Sequence, residues 1–123
     1  MKIIGNEIHI NRGDRGTIRI KSKDNDFKVG DKLKFSIVDK RNYNEVFFQK
    51  EYKIDEAGEY ATIPLMEEDT RFAVIDRKCL ECRYEIEYNN STTLIGANDN
   101  DDNIIKIYAE AGEKQWKLKL YQK

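Results

Sequence analysis

Cys79-Leu80-Glu81-Cys82 spaces two thiols as dithiol redox sites and zinc sites do. A redox pair of this spacing works where it opens a helix, whose N-terminus stabilises the attacking thiolate. Here the pair leads into Arg83-Tyr84-Glu85-Ile86-Glu87-Tyr88, which alternates apolar and charged residues like a strand. Residues three apart in extended chain point to opposite faces, which separates the sulfurs. Zinc needs four ligands, and His9 is the sole histidine beside these two cysteines. A metal centre built on them would need a second subunit to complete it. The simpler expectation is one or two buried thiols acting as small hydrophobes.

Oxygen ligands gather in Asn98-Asp99-Asn100-Asp101-Asp102-Asn103. Asp99, Asp101 and Asn103 fall at positions 1, 3 and 5 of an EF-hand loop, and Glu110 falls at position 12. Position 6 must be glycine and is Ile104, and the residues after it read as a strand. The EF-hand is excluded. Asp99, Asp101 and Asn103 remain candidates for a looser calcium site, against the plain alternative of a solvated loop rich in turn formers. For nucleophilic catalysis nothing assembles. Ser22, Ser36 and Ser91 lack a nucleophile-elbow context, and His9 sits opposite Ile8 and Ile10. Glu67-Glu68-Asp69 reads as solvated surface, and no glycine-rich phosphate loop is present. Neither an enzyme nor a cofactor is expected.

Arg12-Gly13-Asp14 spells an adhesion tripeptide and equally a sharp turn. Gly13 can supply a positive φ, and Asp14 can accept a backbone N–H. A three-residue motif without context carries little weight. Five aromatics, Tyr43, Phe47, Tyr60, Tyr108 and Tyr121, are expected partly outside the core, where they could stack on sugars or seal a subunit interface.

The elements that must position these residues are strands. Tyr84, Ile86 and Tyr88 share one face; Leu33, Phe35 and Ile37 alternate with polar neighbours; Ile8 with Ile10, and Ile18 with Ile20, do the same. Val46, Phe48, Tyr52 and Ile54 continue one face, with Lys50 as the exception. Trp116, Leu118 and Leu120 alternate with Gln115, Lys117 and Lys119. Further strands are expected at 59–65, 91–96 and 104–110, and Ile104-Ile105 leaves the inward face of the last open. Turn residues separate the runs at 12–14, 29–31, 57–59, 89–91, 98–103 and 111–113. The stretch 66–72 breaks the alternation and reads as a short helical turn crossing between sheets. Pro64, just before it, suits an edge or a strand end. Eight or nine short strands with this turn spacing predict a single all-β domain over 1–123, an antiparallel β-sandwich.

The 123 residues are 39% hydrophobic and 37% charged, enough apolar content for one core without metals or disulfides. Lys plus Arg is 22 against 23 for Asp plus Glu, with the signs interspersed. No basic stripe would drive nucleic-acid binding. No apolar run reaches the roughly 18 residues of a membrane helix. MKIIGNEIHI lacks the apolar core and cleavage site of a secretion signal, so synthesis in the cytoplasm is expected. Release by cell lysis would leave the same sequence.

Five segments in order, NEIHINRGDRGTIRI, FKVGDKLKFSIVDK, LMEEDTR, YEIEYNNSTTLIGAND and IIKIYAE, resemble small proteins of Gram-positive phage and prophage tail modules. The family they are most similar to is the N-terminal domain of the phage baseplate upper protein. The likeness runs from about Asn6 to Glu110. It implies an immunoglobulin-like sandwich that docks in a tail tip or baseplate and carries no catalytic residues. It reads Arg12-Gly13-Asp14 as a family turn between the first two strands, with Arg12 or Asp14 anchoring the loop or touching a neighbouring subunit. A chain ending at Lys123 also fits a free-standing accessory or decoration protein. The leading expectation is thus a non-enzymatic structural protein of a virion or phage-tail-like particle. It would bind other tail or baseplate proteins and form a homo-oligomer, with Arg12, Asp14, Tyr43, Phe47 and Tyr108 as interface or loop candidates. The alternatives are a cell-surface carbohydrate- or calcium-binding module, and a small phage-encoded inhibitor of a host defence protein.

Overall fold

Alternating side chains are realised as strands in a computed structural model that describes residues 1–76, 78–96 and 103–110. The strands are β1 (Lys2–Ile4), β2 (Glu7–Asn11), β3 (Gly16–Lys21), β4 (Lys32–Val38), β5 (Val46–Lys53), β6 (Tyr60–Leu65), β7 (Cys79–Tyr88), β8 (Thr92–Ile95) and β9 (Ile104–Tyr108). Helix among the described residues is confined to a 3-10 turn at Glu67–Thr70, and none is long and apolar enough to cross a membrane. The strand expected around Trp116, the turn at 111–113 and Tyr121 lie outside the described residues.

Seven strands form one sheet in the order β1-β2-β9-β7-β4-β5, with β8 on β7; β3 and β6 form a second, two-stranded sheet. One hydrophobic cluster takes Ile18, Ile20, Ala61, Ile63 and Leu65 from the small sheet and Ile8, Ile10, Leu33, Phe35, Ile37, Cys82, Tyr84, Ile86, Ile105 and Ile107 from the large one. The inward face of β9 is therefore that of Ile105 and Ile107. The 3-10 turn carries the chain from β6 in the small sheet to β7 in the large one. Asp69 and Thr70 of that turn are buried, and the Asp69 carboxylate accepts the Met66 N–H at 2.9 Å.

Three particulars depart from the sequence reading. First, β2 and β9 pair in parallel, so the sheet is not antiparallel throughout. Alternation is the same beside a parallel or an antiparallel neighbour, and a parallel pair needs only a long crossover, here everything between the two strands. Second, β1 was not foreseen, because three residues are too few to show a period. Gly5, at φ +59, and Asn6 close it onto β2, as a two-residue hairpin with glycine first requires. Third, Val46 is 47% exposed rather than inward. The pairing of β4 with β5 shifts between Ile37 and Val38, matched to Phe48 and Val46, leaving Phe47 as a bulge residue. Past it the parity flips. Lys50, the inward exception, places its ammonium 3.9 Å from the buried Asp69 carboxylate.

Candidate interaction surface

The outer face of the large sheet carries the residues most able to meet another molecule. Strand register sets them in rows. Lys2 lies opposite His9, His9 opposite Lys106, and Lys106 opposite Glu81; one step on, Asn11 lies opposite Tyr108 and Tyr108 opposite Cys79. The His9 and Tyr108 rings stack with centroids 5.9 Å apart and planes 19° from parallel. His9 Nδ1 and the Tyr108 hydroxyl are 2.8 Å apart. His9 Nε2 lies 3.0 Å from Glu7, whose carboxylate is also 3.5 Å from Lys106. Lys106 reaches Glu81 at 3.7 Å, and Lys40 pairs with Glu81 from the far side. Along the contacts Glu7, Lys106, Glu81 and Lys40 the charges therefore alternate in sign. Glu7, then Glu81, holds the Lys106 ammonium above its ordinary range. The hydrogen bond from Lys40 holds the Glu81 carboxyl below its own.

Beside this row, among the described residues, the sheet ends in an apolar edge. Ile3 is 42% and Ile4 57% exposed, and Met1 is also exposed. A shallow groove of about 410 Å³ runs over Lys2, Ile4, His9, Asn11 and Tyr108. The Met1 side chain lies over Gly16 of β3, where any Cβ would stand 2.5 Å from its sulfur. An edge strand with exposed isoleucines on both faces is a surface that proteins normally blunt or cover. Beside it the His9–Tyr108 stack supplies a tyrosine, a residue type enriched in interface hot spots.

Arg12 is committed elsewhere. Its Nε donates to the Ala73 carbonyl at 2.8 Å and its Nη2 to the Arg71 carbonyl at 3.0 Å, while Nη1 lies 3.3 Å from Glu110. The Glu110 carboxylate also takes Arg71 Nη1 at 2.5 Å. Gly13, at φ +85, donates its N–H to the Thr70 hydroxyl at 2.8 Å. The tripeptide is thus a clasp between the β2–β3 turn and the crossover at 70–73. Asp14 alone of the three residues is exposed, and its N–H donates to the Asn11 carbonyl at 3.0 Å.

The remaining candidates scatter. Tyr43 is exposed in the β4–β5 loop. Phe47 stacks on Phe72 with centroids 5.6 Å apart and packs against the core, so it is not an open face. Tyr60 is exposed, but the Arg19 guanidinium covers one side of its ring at 3.8 Å. Asp99 and Asp101 lie outside the described residues. Asn103 is corrected as a calcium candidate. It is fully buried, its Nδ2 donates to the Tyr84 carbonyl at 2.6 Å, and its Oδ1 accepts from Arg83 at 3.0 Å. Its amide is consumed in joining β7 to the entry of β9. Among the described residues no group of three or more His, Cys, Asp or Glu is placed to hold a metal. Cys82 is buried and inward, Cys79 half-buried and outward, and both are free thiols.

Sequence reasoning missed β1, Glu7, Lys106 and Glu81 as parts of one surface. Their signal was present only as alternation on strands far apart in the chain, whose neighbours sequence does not specify. It also missed Asp69, which looked like one of three solvated carboxylates. No family model, curated protein or solved structure matches this chain.

Proposed function

We propose that this protein is a non-enzymatic structural part of a phage-type tail or baseplate and works through protein–protein interfaces. One observation carries the reading: among the described residues the large sheet ends in an edge strand whose Ile3 and Ile4, with Met1 just before it, are exposed and continuous with the His9–Tyr108 groove. Apolar side chains at an open sheet edge cost solubility, and covering them with another protein removes that cost. The resemblance of the segments from Asn6 to Glu110 to a baseplate domain names the kind of partner. The finer fold reading is an immunoglobulin-like sandwich, supported by two sheets that share one core and by the crossover from β6 to β7. The expected place of action is the virion or a phage-tail-like particle, with copies of the chain and other tail proteins as partners.

Co-expression with proteins of phage tail modules, followed by size exclusion with light scattering, tests the proposal. The expected result is a complex that survives purification, weakened when Ile4→Lys charges the edge. Obligate assemblies of this kind bury roughly 2,000 Å² or more. A strict monomer that ignores those proteins at high concentration would overturn it.

A further inference from the structure

We infer that the β1 edge is a self-complementary seam, through which two copies of this chain pair antiparallel about a two-fold axis at Ile3. The inference rests on the assembly reading above and names the occupant of its surface.

Backbone parity is the first support. Ile4 and Glu7 are paired with only Gly5 and Asn6 between them. The closing pair of a two-residue hairpin is a hydrogen-bonded one, and bonded and non-bonded pairs then alternate. Ile3, opposite Ile8, is therefore a non-bonded position. Its N–H and C=O turn away from β2 toward the open edge, where among the described residues β1 has no second neighbour. An identical strand running the other way meets that donor and acceptor with its own Ile3, exchanging two hydrogen bonds.

Side chains are the second support. This register sets Ile3 against Ile3 of the second copy on the core side, where each is 42% exposed alone. On the outer face it sets Lys2 opposite Ile4 of the second copy. Because Ile4 pairs with Glu7 and Lys2 with His9, the acidic end of one edge enters the same row as the basic end of the other. The row then reads Glu7 and Ile4 of one copy, then Lys2 and His9 of the second. Both halves of the two-fold make that match. A strand without a base opposite Ile4 would lack it, which is why a second copy is the occupant argued here. Ile4 of the second copy also comes to lie beside Lys2, at the border of the groove over His9 and Tyr108.

Length sets the strength. Three residues a side make a small seam, so pairing is concentration-dependent in solution. It is consolidated where other contacts in an assembly raise the local concentration to the order of millimolar.

Cysteine pairs read the register directly. The full chain is prepared with Cys79→Ser in two forms, Lys2→Cys and Ile4→Cys, and the forms are oxidised separately and mixed. Opposed non-bonded positions lie about 4.5 Å apart at Cα, within disulfide reach. Each residue and its own copy lie about 8 Å apart diagonally, beyond it. The expected result is a cross-linked dimer from the mixture and little from either form alone. Independently, Ile3→Pro removes only the outward donor and leaves the β1–β2 bonds intact. Sedimentation should show self-association at least tenfold weaker, with thermal unfolding confirming that the variant is folded. A mixture that fails to cross-link at millimolar protein would overturn the seam. So would an Ile3 amide protected from hydrogen exchange in a dilute monomer, which would give the edge to another segment of the same chain. Co-purification with tail proteins decides the broader reading separately, since it needs no cross-link between copies.

Discussion

The Arg12 guanidinium and the Ala73 carbonyl meet at 2.8 Å across 61 positions of sequence. That bond turns an apparent adhesion tripeptide into a fastening between the first long turn and the crossover that links the two sheets. Arg12→Ala leaves the Arg71 and Ala73 carbonyls and Glu110 short of a donor and should cost about 1–3 kcal/mol of stability. Arg12→Lys should recover only part of it, because an ammonium does not reproduce the planar fork. Gly13→Ala would put a Cβ 2.5 Å from Glu110 Oε1 at φ +85 and should cost a similar amount. Asp14→Ala, at the exposed position, should fall within about 0.5 kcal/mol. Urea denaturation of the four variants ranks them, and a ligand-presenting loop would instead leave all four near neutral.

Asp69 and Lys50 make a second test. The carboxylate is 3% exposed and serves both the Met66 N–H and the Lys50 ammonium. Its loss in Asp69→Ala frees the Met66 N–H and removes the carboxylate that the Lys50 ammonium faces, so about 1–3 kcal/mol of destabilisation is expected. Lys50→Ala should cost less, since the Met66 bond survives. Equal costs for the two variants, measured by thermal unfolding, would contradict this ordering.

The two thiols should differ sharply in reactivity. Burial, helped by Asp39 and Glu81, pushes the Cys82 thiol up to about 12, which leaves almost no thiolate at pH 8. Cys79 stands on the outer face and half-buried. Treatment of the folded protein with an aromatic disulfide at pH 8 should modify Cys79 alone, with Cys82 reacting only after denaturation. Peptide mass spectrometry reads the site, and equal labelling of both would refute the inward placement of Cys82.

Acid should loosen the turn before β4. The Asp31 carboxylate accepts hydrogen bonds from the Tyr88 hydroxyl and the Lys28 N–H, which hold it below its ordinary value of 3.8. A lowered folded pKa gives stability that is present above the unfolded pKa and lost as pH falls through the folded one. Asp31→Asn should therefore lower the melting temperature at pH 7, and the difference from the parent should close toward pH 2. A difference that persists unchanged at pH 2 would place the effect outside the carboxylate.

Much of the strand layout was legible. Tyr84 and Ile86, or Leu33, Phe35 and Ile37, are buried because a strand sends every second side chain to one side, and that period is written in the chain. The separation of Cys79 from Cys82 followed from the same count. The candidate surface was legible only in pieces. Tyr108 was singled out as an aromatic and His9 as an outward residue, but nothing local says that β2 and β9 are neighbours, and in parallel. Val46 misled because a bulge changes parity without changing composition.

By itself the amino-acid order determined where most of the strands and turns fall, which side is apolar in strands such as β4 and β7, and that a crossover at 66–72 interrupts them. These are consequences of backbone geometry within a few residues. Tertiary structure alone decided who lies beside whom. It set Lys2, His9, Lys106 and Glu81 in one row, brought Arg12 to Ala73, buried Asp69 under Lys50 and, among the described residues, left Ile3 at an open edge. Pairing between distant strands rests on backbone groups that every residue shares, and so the choice of partner is made by the whole core.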